Sequence, residues 1–174
     1  MERNELAKKI YETAHLTGHF VLRSGQVSNE YFDKYRFESV PSLLEAIAEH
    51  LAELLPNDFD ALAGLEMGGI PLATALSMKT GKPVVFVRKK AKDYGTCKIA
   101  EGYEVSGKRL LIVEDVITSG GQVVISANDL RSIGAEIVGA ICVINRQSGG
   151  TEALAKAGIN LKELFTMSQL KETL

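Results

Sequence analysis

The chain has 174 residues, with 20 Lys+Arg against 22 Asp+Glu and a formal net charge of −2. That length suits one domain with a core large enough to fold unaided, and 45% hydrophobic with 24% charged residues excludes an intrinsically disordered chain. Near-neutral charge argues against coating nucleic acid or an anionic membrane by bulk electrostatics, so neither is an expected partner, although a local basic patch stays open.

No apolar run approaches the roughly 20 residues of a membrane helix, and the polar start Met1-Glu2-Arg3-Asn4-Glu5 lacks a signal-peptide core. Two distant cysteines, Cys97 and Cys142, suit a reduced cytoplasmic protein. With His15, His19 and His50 they offer no zinc-ligand spacing.

In chain order, Leu6, Ile10 and Ala14 give residues 4–16 a weak helical stripe, and the stretch 22–29 after Gly18 reads as loop or hairpin. From Pro41, Leu43, Leu44, Ile47, Leu51 and Leu55 recur at helical spacing until Pro56 stops them. Strands are expected at 60–65, 83–87, 109–113, 137–144 and 161–165, with helices at 69–80, 121–133 and 150–157, several closed by glycine. The strands are apolar throughout, as befits a parallel sheet covered on both faces. The expected fold is therefore α/β, a central, mainly parallel sheet flanked by helices, with ligands at the carboxyl ends of the strands.

The most informative segment is Leu110-Leu111-Ile112-Val113-Glu114-Asp115-Val116-Ile117-Thr118-Ser119-Gly120-Gly121-Gln122. A buried strand delivers two adjacent acids, and a hydroxyl- and glycine-rich turn then opens a helix. Converging backbone N–H groups and a helix N-terminus favour a phosphate, while carboxylates accept hydrogen bonds from vicinal hydroxyls. A sugar phosphate is the ligand this pattern suggests; a helix N-cap beside two solvated acids is the bland alternative.

A second charged segment follows the strand at 83–87. Arg88, Lys89, Lys90, Lys92 and Lys98 face one acid, Asp93, and Gly95 supplies a hinge. A charge run is often only a solvated loop, but this one leaves a strand where ligands should sit. A mobile basic lid there would balance a polyanionic leaving group and exclude water. The sequence 102–109 nearly fits a nucleotide P-loop, yet Arg109 replaces the needed hydroxyl and the segment precedes its strand.

The acid-pair segment resembles the phosphoribosyl pyrophosphate (PRPP) signature of the type I phosphoribosyltransferases. The lid is similar to the catalytic loop of orotate phosphoribosyltransferases, with Arg88, Lys89 and Lys92 matching and Tyr94 standing where many members carry His. The segments Phe20 to Gly25 and Ser28 to Asp33 resemble that family's N-terminal hood. The resemblance implies one phosphoribosyltransferase domain over 1–174, with about 1–40 contributing the hood.

It also implies residue roles. PRPP would meet Arg88, Lys89, Lys92, Glu114, Asp115, Val116, Ile117, Thr118, Ser119, Gly120, Gly121 and Gln122, with Lys89, Lys92 and Asp115 catalytic. Orotate would meet Thr118 and Arg146, with Arg23, Tyr31 and Phe32 further candidates. Leu65 to Pro71 resembles the pyrophosphate loop, where some members carry Lys in place of Gly68. Mg²⁺ is the implied cofactor, held mainly by substrate and water instead of protein ligands. A homodimer sharing lid residues across subunits is the implied assembly. The implied activity forms orotidine 5′-monophosphate in pyrimidine biosynthesis; transfer to another base, or a non-catalytic PRPP-sensing regulator, are the alternatives.

Overall fold

Apolar runs too short for helices become the strands of one sheet, and the periodic stretches between them become its covering helices. The computed structural model describes residues 1–22, 25–91, 93 and 98–173. Helix α1 (Arg3–Ala14) leads into a hairpin, β1 (His15–Val21) and β2 (Val27–Phe32), followed by α2 (Lys34–Glu38) and α3 (Pro41–Ala52). The rest alternates β3 (Ala61–Leu65), α4 (Gly69–Thr80), β4 (Val84–Val87), β5 (Ala100–Gly102), β6 (Arg109–Ile117), α5 (Gly121–Ser132), β7 (Glu136–Asn145), α6 (Gly150–Lys156), β8 (Leu161–Thr166) and α7 (Met167–Lys171). Among the described residues no helix is long and apolar enough to cross a membrane.

The large sheet runs β5-β4-β3-β6-β7-β8. All of its neighbouring pairs are parallel except β4 with β5. Alternation along β6 explains the unbroken apolar run: Leu111 and Val113 join the core beneath α1, α3 and α4, while Leu110 and Ile112 join the core beneath α5 and α6. Helix α4, leaving β3, packs on the first face, and α5, leaving the adjacent β6, packs on the second. Strand order thus runs outward in opposite senses from the parallel neighbours β3 and β6, which opens a crevice outside their carboxyl ends.

Strand β6 extends four residues beyond the expected 109–113. Glu114, Val116 and Ile117 continue its register opposite Cys142, Ile144 and Asn145 of β7. The acid pair therefore sits in the sheet, where ladder hydrogen bonding overrides the polarity that suggested a loop. The hairpin forms a separate two-stranded sheet, and three elements went unexpected: α2, β5 and α7.

Leu62 is fully buried on β3, within the core under α3 and α4. Leu62→Ala should lower unfolding free energy by about 2–5 kcal/mol, the range for cavity-forming core truncations. Urea denaturation should show an earlier midpoint with an unchanged slope.

Candidate active site

Two adjoining hollows open at the crevice. One, of about 260 Å³, is lined by the turn Thr118–Val123 with Glu66, Met67, Lys89 and Glu114. The other, of about 700 Å³, reaches under the hairpin and is lined by Tyr31, Phe32, Arg146 and Met167 among others. Lys34, Tyr35, Val116, Thr118 and Ser119 border both.

The smaller hollow has the features of an anion cradle. Gly120 caps α5 with φ 76°, and no side chain caps the first turn. Its N–H groups are therefore left to a ligand or solvent. A Cβ on Gly120 would stand 2.5 Å from Leu154 Cδ1 and 3.1 Å from the Gly150 carbonyl oxygen. Glycine is needed there both for its left-handed backbone and for the close approach of α6. Thr118, Ser119, Gly120, Gly121 and Gln122 line this hollow, along with Val116 and the otherwise buried Ile117.

The acid pair behaves differently from two free carboxylates. Asp115 is 0% exposed, and Lys34 Nζ stands 2.8 Å from its Oδ1 and 2.7 Å from its Oδ2. The Val116 N–H donates to Oδ1 at 2.5 Å, and the Asp115 N–H donates to Glu114 Oε1 at 3.0 Å. Gly68 closes the other side: a Cβ there would lie 1.7 Å from Asp115 Oδ2. With φ −67°, Gly68 is required for space, not for backbone freedom.

Burial pushes the Glu38 carboxyl up to about 9, reinforced by the neighbouring Asp115 charge and hydrogen bond. Burial and then Asp115 also hold Glu114 well above the usual carboxylate range. Burial pulls Lys34 down, but the Asp115 charge and hydrogen bond more than offset this and raise it. The cluster thus carries less negative charge near neutrality than its three carboxyls would suggest. That removes much of the repulsion expected between the acid pair and a phosphate.

The hollow beneath the hairpin gathers the candidate base-binding residues. Arg146 follows β7, with its N–H donating to the Ile117 carbonyl at 2.9 Å. Gln147, at φ 58°, accepts from the Ser168 N–H and hydroxyl at 3.2 and 2.6 Å, which ties this turn to α7. Tyr31 tilts against Phe20 with ring centroids 5.5 Å apart, and Phe32 lies 6.0 Å from Tyr11.

The lid residues divide. Lys89 lines the smaller hollow, and its N–H donates to Glu66 Oε2 at 2.9 Å. Arg88 instead faces Glu101 of β5 at 3.5 Å and borders neither hollow. Arg23, Lys92 and Tyr94 lie outside the described residues. Sequence reasoning missed Lys34 and Tyr35 on α2, His15 and Glu30 of the hairpin, and Lys171 of α7. Two signals were present: Asp33 accepts from the Tyr35 N–H as an N-cap, and Thr166 with Gln169 forms a capping box.

Comparison with known proteins follows the same lines. The family model for the phosphoribosyl transferase domain matches residues 37–165. An orotate phosphoribosyltransferase of Nocardioides sp. is 48% identical over 165 residues, covering 95% of this chain and 92% of that protein. The chain belongs to the orotate phosphoribosyltransferase family. A crystal structure of the Mycobacterium tuberculosis orotate phosphoribosyltransferase superposes with a TM-score of 0.87 at 31% identity, covering 97% of this chain and 98% of that one. A structure of the same enzyme in complex with PRPP gives 0.84 at 28% identity, with the same coverage. The family's α/β fold, with a mostly parallel central sheet flanked by helices, is the fold described above.

The cluster makes a pH-dependent contribution to stability. A carboxyl raised from 4.5 to about 9 keeps its proton in the folded state while the unfolded chain loses it. Stability from this group is full below about 4.5 and declines as pH rises through about 9. Glu38→Gln should flatten that decline, and thermal melts across pH should show the two proteins diverging most on the alkaline side.

Proposed function

We propose that this chain transfers the 5-phosphoribosyl group from PRPP to orotate, releasing pyrophosphate and forming orotidine 5′-monophosphate for pyrimidine biosynthesis. The observation that carries this reading is the junction of the two hollows at Thr118 and Ser119. One side is a glycine-bounded helix N-terminus suited to a phosphate, and the other presents a guanidinium and aromatic rings suited to a planar base bearing a carboxylate. PRPP and orotate would meet where these sides join. Family membership supports the same chemistry.

In this mechanism the 118–121 turn anchors the 5′-phosphate. Glu114 and Asp115 hold the ribose hydroxyls and steady positive charge as the C1–O bond to pyrophosphate breaks. Lys89 and Lys92 balance the charge of the departing group, as preorganised cations do most effectively in a water-excluded site. Arg146 pairs with the orotate carboxylate while Tyr31 and Phe32 border the ring, with Arg23 nearby in the hood. Orotate carries its charge on the carboxylate, so N1 loses its proton, to a pyrophosphate oxygen or to solvent, as the N1–C1′ bond forms, and holding the ring in line with C1′ is the protein's main contribution to that step.

Mg²⁺ is the proposed cofactor. Among the described residues no group of three or more His, Cys, Asp or Glu side chains could hold a metal ion, and Asp115 is committed to Lys34. In this reading the ion is carried by substrate oxygens and water, as the family resemblance implies, and would supply positive charge to the pyrophosphate. The proposed assembly is a homodimer in which lid residues cross between subunits. Lys89 borders its own chain's hollow, so Lys92 is the better residue for testing exchange. The proposed compartment is the cytoplasm, where a buried free thiol such as Cys142 stays reduced.

Pyrophosphate release should be seen with orotate and be negligible with uracil or hypoxanthine; turnover of another base without orotate would overturn the substrate assignment. Arg146→Ala should raise KM for orotate by about ten- to a hundredfold, the scale of a lost charge-assisted contact, while changing KM for PRPP little. For the shared lid, Lys92→Ala and Asp115→Asn proteins should each be weak and regain activity when unfolded and reassembled together. Confirmed heterodimers without recovery would contradict lid exchange.

A further inference from the structure

Asp115 poses a mechanical problem. A carboxylate with no exposed surface cannot accept a hydrogen bond from a ribose hydroxyl until something covering it moves. Its covers are Gly68, whose backbone lies against Oδ2, the strand neighbour Glu114, the buried Glu38, and the Lys34 ammonium. Lys34 alone among them combines a flexible four-carbon stem with partial exposure, its side chain being 33% accessible. It also borders both hollows, so it already faces the space a donor would fill.

A second observation concerns charge supply. The loop Glu66-Met67-Gly68-Gly69 carries no cation, although it borders the hollow opposite the phosphate turn. The ammonium of Lys34, reaching in from α2, stands beside that loop.

We propose that Lys34 is a moving counter-ion. In this structure it covers Asp115, and on donor binding it yields Asp115 to the ribose hydroxyls and turns its charge to an anionic oxygen of the donor. This rests on the reading of the crevice as a PRPP site. No bond is made or broken; one ion pair is exchanged for another, which avoids leaving either charge buried and unpaired. The groups facing Asp115 favour such an exchange. Glu38 and Tyr35 on α2, Glu114 on β6 and the Cys142 thiol on β7 supply no other cation. Without Lys34, or the cation of a donor complex, the buried carboxyls would retain an additional proton.

The test is calorimetric titration of PRPP into the wild type, Lys34→Gln and Lys34→Arg proteins between about pH 6.5 and about pH 9, with thermal melts to establish folding. Lys34→Gln should weaken PRPP binding about tenfold or more near pH 7, with a deficit that changes as rising pH ionises a cluster that has lost its counter-ion. Lys34→Arg keeps the charge, but its rigid fork should stay bidentate on Asp115 and weaken PRPP binding by a similar factor. PRPP affinity at the wild-type level in either folded variant would overturn the exchange. A Lys34→Gln deficit independent of pH would overturn the claim that Lys34 governs the cluster's protonation. Wild-type protein that binds PRPP but does not turn over orotate would instead count against the proposed function, leaving the counter-ion result to stand on the binding data.

Discussion

One fully buried carboxylate, Asp115, sets the terms for everything around it. An ionised group taken out of water costs several kcal/mol unless it is paired and hydrogen-bonded, and here the compensation comes from separate parts of the chain. Lys34 brings the counter-charge from a five-residue helix next to the hairpin, and β6 supplies the Val116 N–H. Gly68 gives up a side chain so that the loop after β3 can close over the carboxylate. The sheet topology makes this possible: where strand order reverses, between the parallel β3 and β6, loops from opposite windings meet over one pair of strand ends.

The same constraint separates rigid from adjustable parts. The 118–121 turn is held by close packing of Gly120 against Gly150 and Leu154, and the Arg146 turn by Gln147 and its hydrogen bonds to α7. Both turns are tied to a neighbouring helix, one by close packing and the other by side-chain hydrogen bonds. The cations are on longer leashes: Lys34 from α2 and Lys89 at the start of the lid both border the smaller hollow. A reaction that separates a pyrophosphate anion from a sugar needs fixed donors for what stays and movable charge for what leaves.

Legibility from sequence followed the range of the interactions involved. The large sheet, helix α4 with its glycine stop and the glycine turn that opens α5 could be read because periodicity and local glycine chemistry decide them. Strand β6 was cut short because Glu114 and Asp115 look like loop residues; their pairing with β7, a long-range interaction, keeps them in the sheet. Lys34 was invisible for a related reason. Five residues of helix carry no periodicity, and its partner lies 81 positions away. Arg88 fitted the lid motif, yet its described contact is with Glu101 on the neighbouring edge strand. Motif matching picked out charged segments that border one crevice, but not which charges neutralise one another.

The central claim is that the crevice between β3 and β6 is a phosphoribosyl site whose buried acid becomes available when Lys34 withdraws. A crystal structure of this chain with PRPP bound tests it most directly. The account predicts the 5′-phosphate against the backbone N–H groups of the 118–121 turn, ribose hydroxyls on Glu114 and Asp115, and Lys34 Nζ displaced from Asp115 to a donor oxygen. PRPP seated elsewhere, or bound with Lys34 still covering Asp115, would contradict it.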